Sequence, residues 1–503
     1  MRVAVIGAGL GGLSAASYLR EDGHEVTIFE ATDELGGRCG VINSQGFSID
    51  TGPSVLTMTG ILDDVFRAAG SSLADEVRLL PLDPMYRATF ASRSSFDGDG
   101  TISVRQSPEA MRDEIASVAG SLEARAFERF CDYLQKLYLL EMPNFIDKNF
   151  DSPLDLLRPA APGVELLRMG AFGRLSSLVK RYFNDPRLQM LFSFQSLYAG
   201  LSPFDALAIY AVITYMDTVE GVYFPRGGMA AVPKALGAVL TRNGVEIKLG
   251  ARVTRILRTR ATAGAVTAVE LENGERFACD AIVANPEIPL VYRELLKSDA
   301  MPRVARRGEY SPSALLILSG ASFVPQVPYA HHNIFFGNQW KASFKSLLED
   351  KVRMPDPSLL VSIPSLSDST LAPEASSVLY ILEPVPNLDG PIDWQTERDL
   401  ASKELRSRVK NFGLYPQNDD LVRVERVIDP LDWQAMGMER GTPFALSHRF
   451  AQTGPFRPPN HDKKIPGLYF AGSSTVPGVG VPMVLISGKL AAARLKKDNR
   501  ARR

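Results

Sequence analysis

An α/β fold is predicted, with a Rossmann-type nucleotide-binding domain that an inserted α+β domain interrupts. Three observations predict it. The first thirty residues read strand, glycine-rich turn, helix, strand. Strand and glycine texture returns in the middle and at the end of the chain. Between these stretches lie long segments with helical periodicity.

The opening unit comes first. Arg2-Val3-Ala4-Val5-Ile6 is a short apolar run suited to a buried parallel strand. Residues 10–20 carry helical spacing, and Glu25-Val26-Thr27-Ile28-Phe29 is a second β-branched and aromatic run. Together they make one βαβ unit of about 30 residues. The run after Met1-Arg2 is not read as a signal peptide, because Gly7, Gly9, Gly11 and Gly12 break it.

Residues 80–220 have another texture. Segments 110–140 and 171–183 show helical periodicity. Ser202-Pro203-Phe204-Asp205 reads as a helix start, with Ser as cap, Pro at the first position and Asp in the first turn. The apolar helix expected to follow, to Met216, is too short to cross a bilayer, which takes about 20 residues. Strands return at residues 244–256 and 266–271, with Glu272-Asn273-Gly274-Glu275 as a hairpin turn. Ala281-Ile282-Val283-Ala284 reads as another buried strand, and residues 314–318 and 378–383 as two more. The chain ends in strand, glycine-rich loop and helix. The expected division is therefore a discontinuous nucleotide-binding domain from 1–75, 223–290 and 430–503. Residues 76–222 and 291–429 form the substrate-binding, membrane-associating part.

Composition excludes several classes. The net charge is −1, so no basic nucleic-acid footprint is present. Cys39, Cys131 and Cys279 are scattered and odd in number, which suggests neither a disulfide framework nor a zinc site, and fits reduced thiols in a cytosolic protein.

The strongest local signal is Gly7-Ala8-Gly9-Leu10-Gly11-Gly12 between a strand and a helix. Gly7 permits the tight turn, Gly9 lets backbone approach a pyrophosphate, and Gly12 lets the helix pack on the sheet. Glu30, with Ala31 beside it, ends the second strand where an acid takes the adenosine ribose. Gly36-Gly37-Arg38 follows. It resembles the second glycine pair plus arginine of the large flavoprotein family that includes amine oxidases and carotenoid desaturases. The resemblance implies FAD, with Arg38 on its phosphate. It also brings the Asp50-Thr51-Gly52-Pro53-Ser54-Val55 loop to the flavin and the backbone of Val253 to the adenine. Residues 467–473 resemble the late strand that returns to the ribityl chain. Many members have Asp after that glycine; here Gly472 precedes Ser473, so a carboxylate contact is not available.

Further segments narrow the resemblance. Pro225-Arg226-Gly227-Gly228, the run Ser367-Asp368-Ser369-Thr370-Leu371-Ala372-Pro373-Glu374, and Pro384-Val385-Pro386-Asn387-Leu388 occur in order. Trp433, Gly437 and the glycine-rich run from Gly472 through Gly480, Val481 and Pro482 follow. Together they resemble the bacterial and fungal-type phytoene desaturases from end to end. Members often carry His where this chain has Val476, so no role that needs that His is carried over. The resemblance implies successive dehydrogenation of 15-cis-phytoene towards lycopene, with hydride passing to the flavin and then electrons to a quinone or dioxygen. A hydrocarbon offers no hydrogen-bonding handle, so selection must rest on a long apolar tunnel. Residues 170–220 are the expected walls and membrane-facing surface of a cytoplasmic protein held peripherally on the cell membrane.

Candidate acid–base residues are Asp155 and Arg158, three apart and matching the Asp-x-x-Arg of the resembled family. A surface salt bridge is the plainer alternative. His331-His332 is read as a satisfied or solvated pair and not as a metal site. The basic stretch 489–503 is read as a solvated tail that could attract anionic lipid. Alternatives are a 3,4-desaturase, a hydroxyneurosporene-type or diapophytoene desaturase, an amine oxidase, and a non-catalytic prenyl-lipid carrier of the Rab dissociation inhibitor type. Residues 472–485 lack the aromatics that an amine oxidase usually places near its flavin.

Overall fold

The computed structural model describes residues 1–90, 100–158, 160–259, 264–325 and 329–502. The opening βαβ unit forms as read: strand Arg2–Ile6, helix Leu10–Glu21 and strand Glu25–Phe29. The two strands pair in parallel and sit in the middle of a five-stranded sheet. The remaining strands are Ala281–Ala284 and Leu468–Phe470 on one side and Glu246–Lys248 on the other, all parallel. The sheet therefore draws its strands from three distant stretches of chain. Ala281–Ala284 is buried along its whole length, as a central parallel strand with both faces covered must be. A three-stranded antiparallel sheet, Val253–Arg258, Val266–Leu271 and Arg276–Ala278, stands beside it. The turn at Asn273-Gly274 closes the hairpin of its last two strands, with Asn273 Oδ1 accepting from the Glu275 N–H at 3.0 Å.

The second body is a seven-stranded sheet in the order Val422–Ile428, Ser313–Ala321, Ser377–Val385, Leu359–Ser362, His332–Phe336, Tyr86–Phe90, Thr101–Val104. Its pairs are antiparallel except that of His332–Phe336 with Tyr86–Phe90. Ser313–Ala321 is buried at every position. Helices from residues 108–218 pack over one face, and helix Trp394–Asn411 covers the other through Trp394, Leu405 and Val409.

Three expectations are corrected. The helical stretch 110–140 is two helices, Pro108–Ala119 and Ser121–Glu141. Gly120 separates them at φ 91°, a conformation that a residue bearing a Cβ rarely takes. The helix expected from Ser202 does not propagate. Ser202 Oγ accepts from the Phe204 N–H at 3.1 Å. The chain then opens, because the carbonyls of Pro203 and Ala206 accept from Ser176 and Leu175 of a neighbouring segment. Only a 3₁₀ turn, Ala208–Ala211, and the short helix Val212–Thr218 follow. The basic stretch from 489, read as a solvated tail, belongs instead to the C-terminal helix Val481–Arg502, with Arg503 outside the described residues. Lys489, Arg494, Lys496 and Lys497 pair with Asp147, Asp151, Asp22 and Asp151 of the same chain. Among the described residues no helix is long and apolar enough to cross a membrane.

Candidate functional site

One cavity of about 1800 Å³ runs from the carboxyl ends of the parallel strands to the seven-stranded sheet. Ligand pockets commonly hold about 300–1,000 Å³, so there is room for two large molecules end to end.

The first end is the glycine turn. Gly7 adopts φ 92°, and its N–H donates to the Phe29 carbonyl at 2.8 Å, joining the ends of the two strands. A Cβ at Gly12 would lie 2.1 Å from the Gly7 carbonyl oxygen, so the helix can approach this closely only with glycine there. Glu30 Oε2 accepts from the Ala8 N–H at 2.7 Å, and Oε1 from the Thr32 N–H at 3.0 Å. The acid therefore stands at the turn. Gly7, Gly9, Leu10, Gly11, Glu30, Ala31, Gly37, Arg38 and Val253 line the cavity. Ala8 and Gly12 are buried behind it and shape it without facing it. This cradle of backbone N–H groups at a helix N-terminus, with an acid beyond it, fits a dinucleotide.

Next along the cavity come Pro53, Ser54 and Val55 on one wall, and Gly472, Ser473, Gly480, Val481 and Pro482 on another. The last three stand at the start of the helix Val481–Arg502, whose positive N-terminal end therefore faces the cavity. Arg38 does not stand alone. Its guanidinium donates to Ser473 Oγ at 2.7 Å and pairs with Glu287, which is 5% exposed. Burial raises the Glu287 carboxyl, and Arg38 opposes the rise. The hydroxyl of Ser473 thus stands where many members of the resembled family carry an acid, held by the arginine of the glycine-pair motif.

The loop motifs have structural work in common. Asp50 accepts from the N–H groups of Met229 at 2.8 Å and Ala230 at 3.3 Å; burial pushes its carboxyl to about 6. Asp368 accepts from the Gly227 N–H at 2.6 Å. Asp50, at the end of strand Phe47–Asp50, and Asp368 from a distant loop thereby fix the backbone from Gly227 to Ala230.

The second end is apolar. Leu316, Leu382, Leu360 and Ile334 stand side by side across four strands of the seven-stranded sheet. With strands about 4.8 Å apart this row is about 14 Å long. Tyr380 and His332 stand one pair further along, and the Tyr86 ring lies 6.5 Å from that of His332. Ile209, Val212, Ile213 and Met216 face the row from the opposite wall. The cavity opens among Val164, Leu167, Phe172, Phe450 and Phe456, all exposed at its mouth.

Among the ionisable residues that line the cavity at positions the sequence does not mark as cavity groups are Glu141, Asp217, His332 and His448. Burial pushes the Asp217 carboxyl up to about 7, against hydrogen bonds from Thr218 and Gln195 that hold it down. Burial alone raises Glu141 well above the ordinary carboxyl range. Burial lowers His332 to about 4, and lowers His448 well below its ordinary value, with Arg457 adding to the effect. At neutral pH both imidazoles are therefore uncharged, which suits an apolar chamber.

The pair expected at Asp155 and Arg158 is corrected. Asp155 Oδ2 accepts from the N–H groups of Asp151 at 2.7 Å and Ser152 at 3.0 Å, capping the 3₁₀ turn Pro153–Leu157. These bonds hold its carboxyl below the ordinary range. Arg158 is exposed, and neither side chain lines the cavity. The two histidines point to opposite faces of their strand: His331 Nδ1 meets Ser367 Oγ at 3.0 Å while His332 faces the cavity.

The family model described as flavin containing amine oxidoreductase matches residues 10–496. The chain is 42% identical over 504 residues to a phytoene dehydrogenase of Streptomyces griseus, covering 99% of this chain and 96% of the relative. It is 34% identical to a zeta-carotene-forming phytoene desaturase of Myxococcus xanthus, covering 98% and 93%. Among solved structures, an oxidoreductase from Methanosarcina mazei matches with TM-score 0.61 at 17% identity, covering 99% of this chain and 100% of that one. That last likeness is one of fold alone.

Proposed function

The chain belongs to the flavin-containing amine oxidoreductase family, among its carotenoid desaturases, and from that premise we propose that it desaturates 15-cis-phytoene in successive steps towards lycopene. The observation that carries the substrate is the apolar row Leu316–Leu382–Leu360–Ile334, in one cavity with a nucleotide cradle and an exposed apolar mouth.

The cofactor is FAD. The glycine turn, Glu30 and Ala31 would hold its adenosine and pyrophosphate half, with Val253 at the adenine and Gly37-Arg38 at the phosphates. Pro53, Ser54 and Val55 would meet the ring system, together with Gly472, Ser473, Gly480, Val481 and Pro482. When bound, it supplies the electron sink for a hydride leaving an allylic carbon. The protein does the rest by position. The leucine row and the facing helix Val212–Thr218 hold an extended polyene in one plane and exclude water. Uncharged His332 and His448 add no cation to the hydrocarbon's path. A quinone or dioxygen takes the electrons afterwards. Residues 1–75, 223–290 and 430–503 carry the cofactor, and 76–222 and 291–429 carry the substrate.

The mouth suggests where the substrate comes from. Leu167 and Phe172 are exposed beside the opening, as residues that dip into a lipid surface are. The reading is a cytoplasmic enzyme resting on the cell membrane and drawing phytoene directly from the bilayer. Expression in a phytoene-accumulating host tests the substrate. Coloured polyene with phytoene consumed supports it; unchanged phytoene in cells holding the flavin-loaded protein refutes it.

A further inference from the structure

Among the described residues, Asp217 is a carboxylate with no ion-pair partner inside an apolar chamber. It lies in the helix Val212–Thr218, is 8% exposed and lines the cavity. Its Oδ1 accepts from Thr218 Oγ1 at 2.8 Å, and its Oδ2 from Gln195 Nε2 at a long 3.4 Å. The titratable side chains that face it are Tyr86, from strand Tyr86–Phe90, raised first by burial and then by the Asp217 charge, and Tyr198, which is partly exposed and is also raised by that charge. His332 stands behind Tyr86. No lysine, arginine or histidine of the described residues is among the groups acting on Asp217.

Other buried acids are committed to the fold. Asp50 and Asp368 fix the backbone from Gly227 to Ala230, Glu287 pairs with Arg38, Glu383 pairs with Arg353, and Asp429 caps the helix Pro430–Ala435. Glu141 is uncommitted, but no hydrogen bond reaches its Oε1 and nothing holds it ionised. Of these acids, Asp217 combines a place on the apolar wall with donors that keep an anion within reach of neutral pH.

Its place in the wall also matters. Val222 and Tyr223 follow a few residues on, and Tyr223 exchanges two backbone hydrogen bonds of 2.8 Å with Leu56. Leu56 directly follows the Pro53–Val55 loop assigned to the flavin ring. The segment that follows Asp217 is thereby joined to the loop assigned to the flavin ring.

A new double bond in a hydrocarbon needs two losses: a hydride from one carbon and a proton from its neighbour. Aliphatic walls cannot take a proton. A neutral imidazole that took one would become a buried cation, which the burial of His332 and His448 opposes. A carboxylate that takes one becomes neutral, which burial favours. We infer that Asp217 is the catalytic base that accepts the proton lost from the polyene. The inference rests on the desaturase reading. In this step the C–H bond breaks, its electron pair becomes the second bond of the new C=C, and an O–H bond forms on Asp217. The hydride and its two electrons leave to the oxidised flavin, and the carboxyl later releases its proton to water.

The test compares the flavin-loaded wild type with Asp217→Asn and Asp217→Glu. Infrared difference spectra across pH should show a protonated-carboxyl band with a midpoint near 7 in the wild type, lost in Asp217→Asn. Phytoene turnover by the wild type should rise through that same pH. In Asp217→Asn it should fall by about 10²–10⁴-fold and lose that rise, with flavin content unchanged. Asp217→Glu should recover part of the rate with a displaced midpoint. A turnover within tenfold of wild type in Asp217→Asn, with the pH profile intact, overturns the inference and leaves the substrate standing. A wild type inert towards phytoene sinks the substrate instead, and the same three proteins are then compared on the shorter diapophytoene.

Discussion

Replacing Arg38 by methionine isolates what the glycine-pair arginine does for the fold from what it does for the cofactor. Arg38 is about one-third exposed and Glu287 almost wholly buried. Removing one partner of a buried pair costs roughly 3–5 kcal/mol, because the remaining charge is stranded. The partial exposure of Arg38, and the Glu439 N–H that still donates to Glu287 at 3.1 Å, place the expected loss near the lower bound, at about 3 kcal/mol. The sign of the pH dependence follows. Burial already raises the Glu287 carboxyl above its unfolded value, and losing Arg38 raises it further. The destabilisation is therefore fully present above the folded value and vanishes as pH falls and the group protonates, at about 1.4 kcal/mol for each tenfold change in proton affinity. Urea unfolding of flavin-free protein at pH 8 and pH 5 measures it. The deficit of Arg38→Met against wild type should be larger at pH 8 than at pH 5. Adding Glu287→Gln should restore most of the loss at pH 8 without restoring flavin affinity. A double variant no more stable than Arg38→Met at pH 8 would refute the stranded-charge explanation.

Three other outcomes are expected. Gly12→Ala forces the first helix off the Gly7 carbonyl, at a cost of about 1–3 kcal/mol, and should lower flavin affinity at least several-fold by equilibrium dialysis. Ile213→Trp fills the cavity wall facing the leucine row; the ratio of fully to partly desaturated product should fall about tenfold, or ~1.4 kcal/mol, in extracted pigments. Leu167→Asp combined with Phe172→Asp removes two apolar groups worth about 1.5–3 kcal/mol each from the mouth. In sedimentation with phospholipid vesicles the affinity should drop by about a hundredfold or more, while flavin content stays constant.

The parts legible in the sequence are those whose signals are local. Gly7 to Gly12 between two apolar runs specifies a turn, a helix start and a strand pair within one short stretch, and the structure has all three. The hairpin at Asn273-Gly274 is equally local. Where tertiary contacts compete, local signals mislead. Ser202-Pro203 has good capping chemistry, yet the backbone of residues 203–206 pairs with residues 175–176 and the helix stops. The spacing of Asp155 and Arg158 suggests a pair across a turn, although Ser152, Pro153 and Asp155 already carry the cap pattern that the structure uses. The polar groups of the chamber could not be foreseen. Glu141, Asp217 and His448 stand on three segments far apart in the chain, and only the folded sheet and its covering helices bring them to one cavity. Glu287 carried a weak signal: it follows a buried strand at the carboxyl edge of a parallel sheet, where ligands bind.

Anaerobic mixing of the flavin-loaded protein with 15-cis-phytoene in phospholipid vesicles bears most directly on a hydrocarbon being oxidised at this cradle. Oxidised-flavin absorbance should fall in step with the appearance of one additional double bond per flavin. A flavin that stays oxidised with phytoene and is reduced by a small polar amine would contradict it.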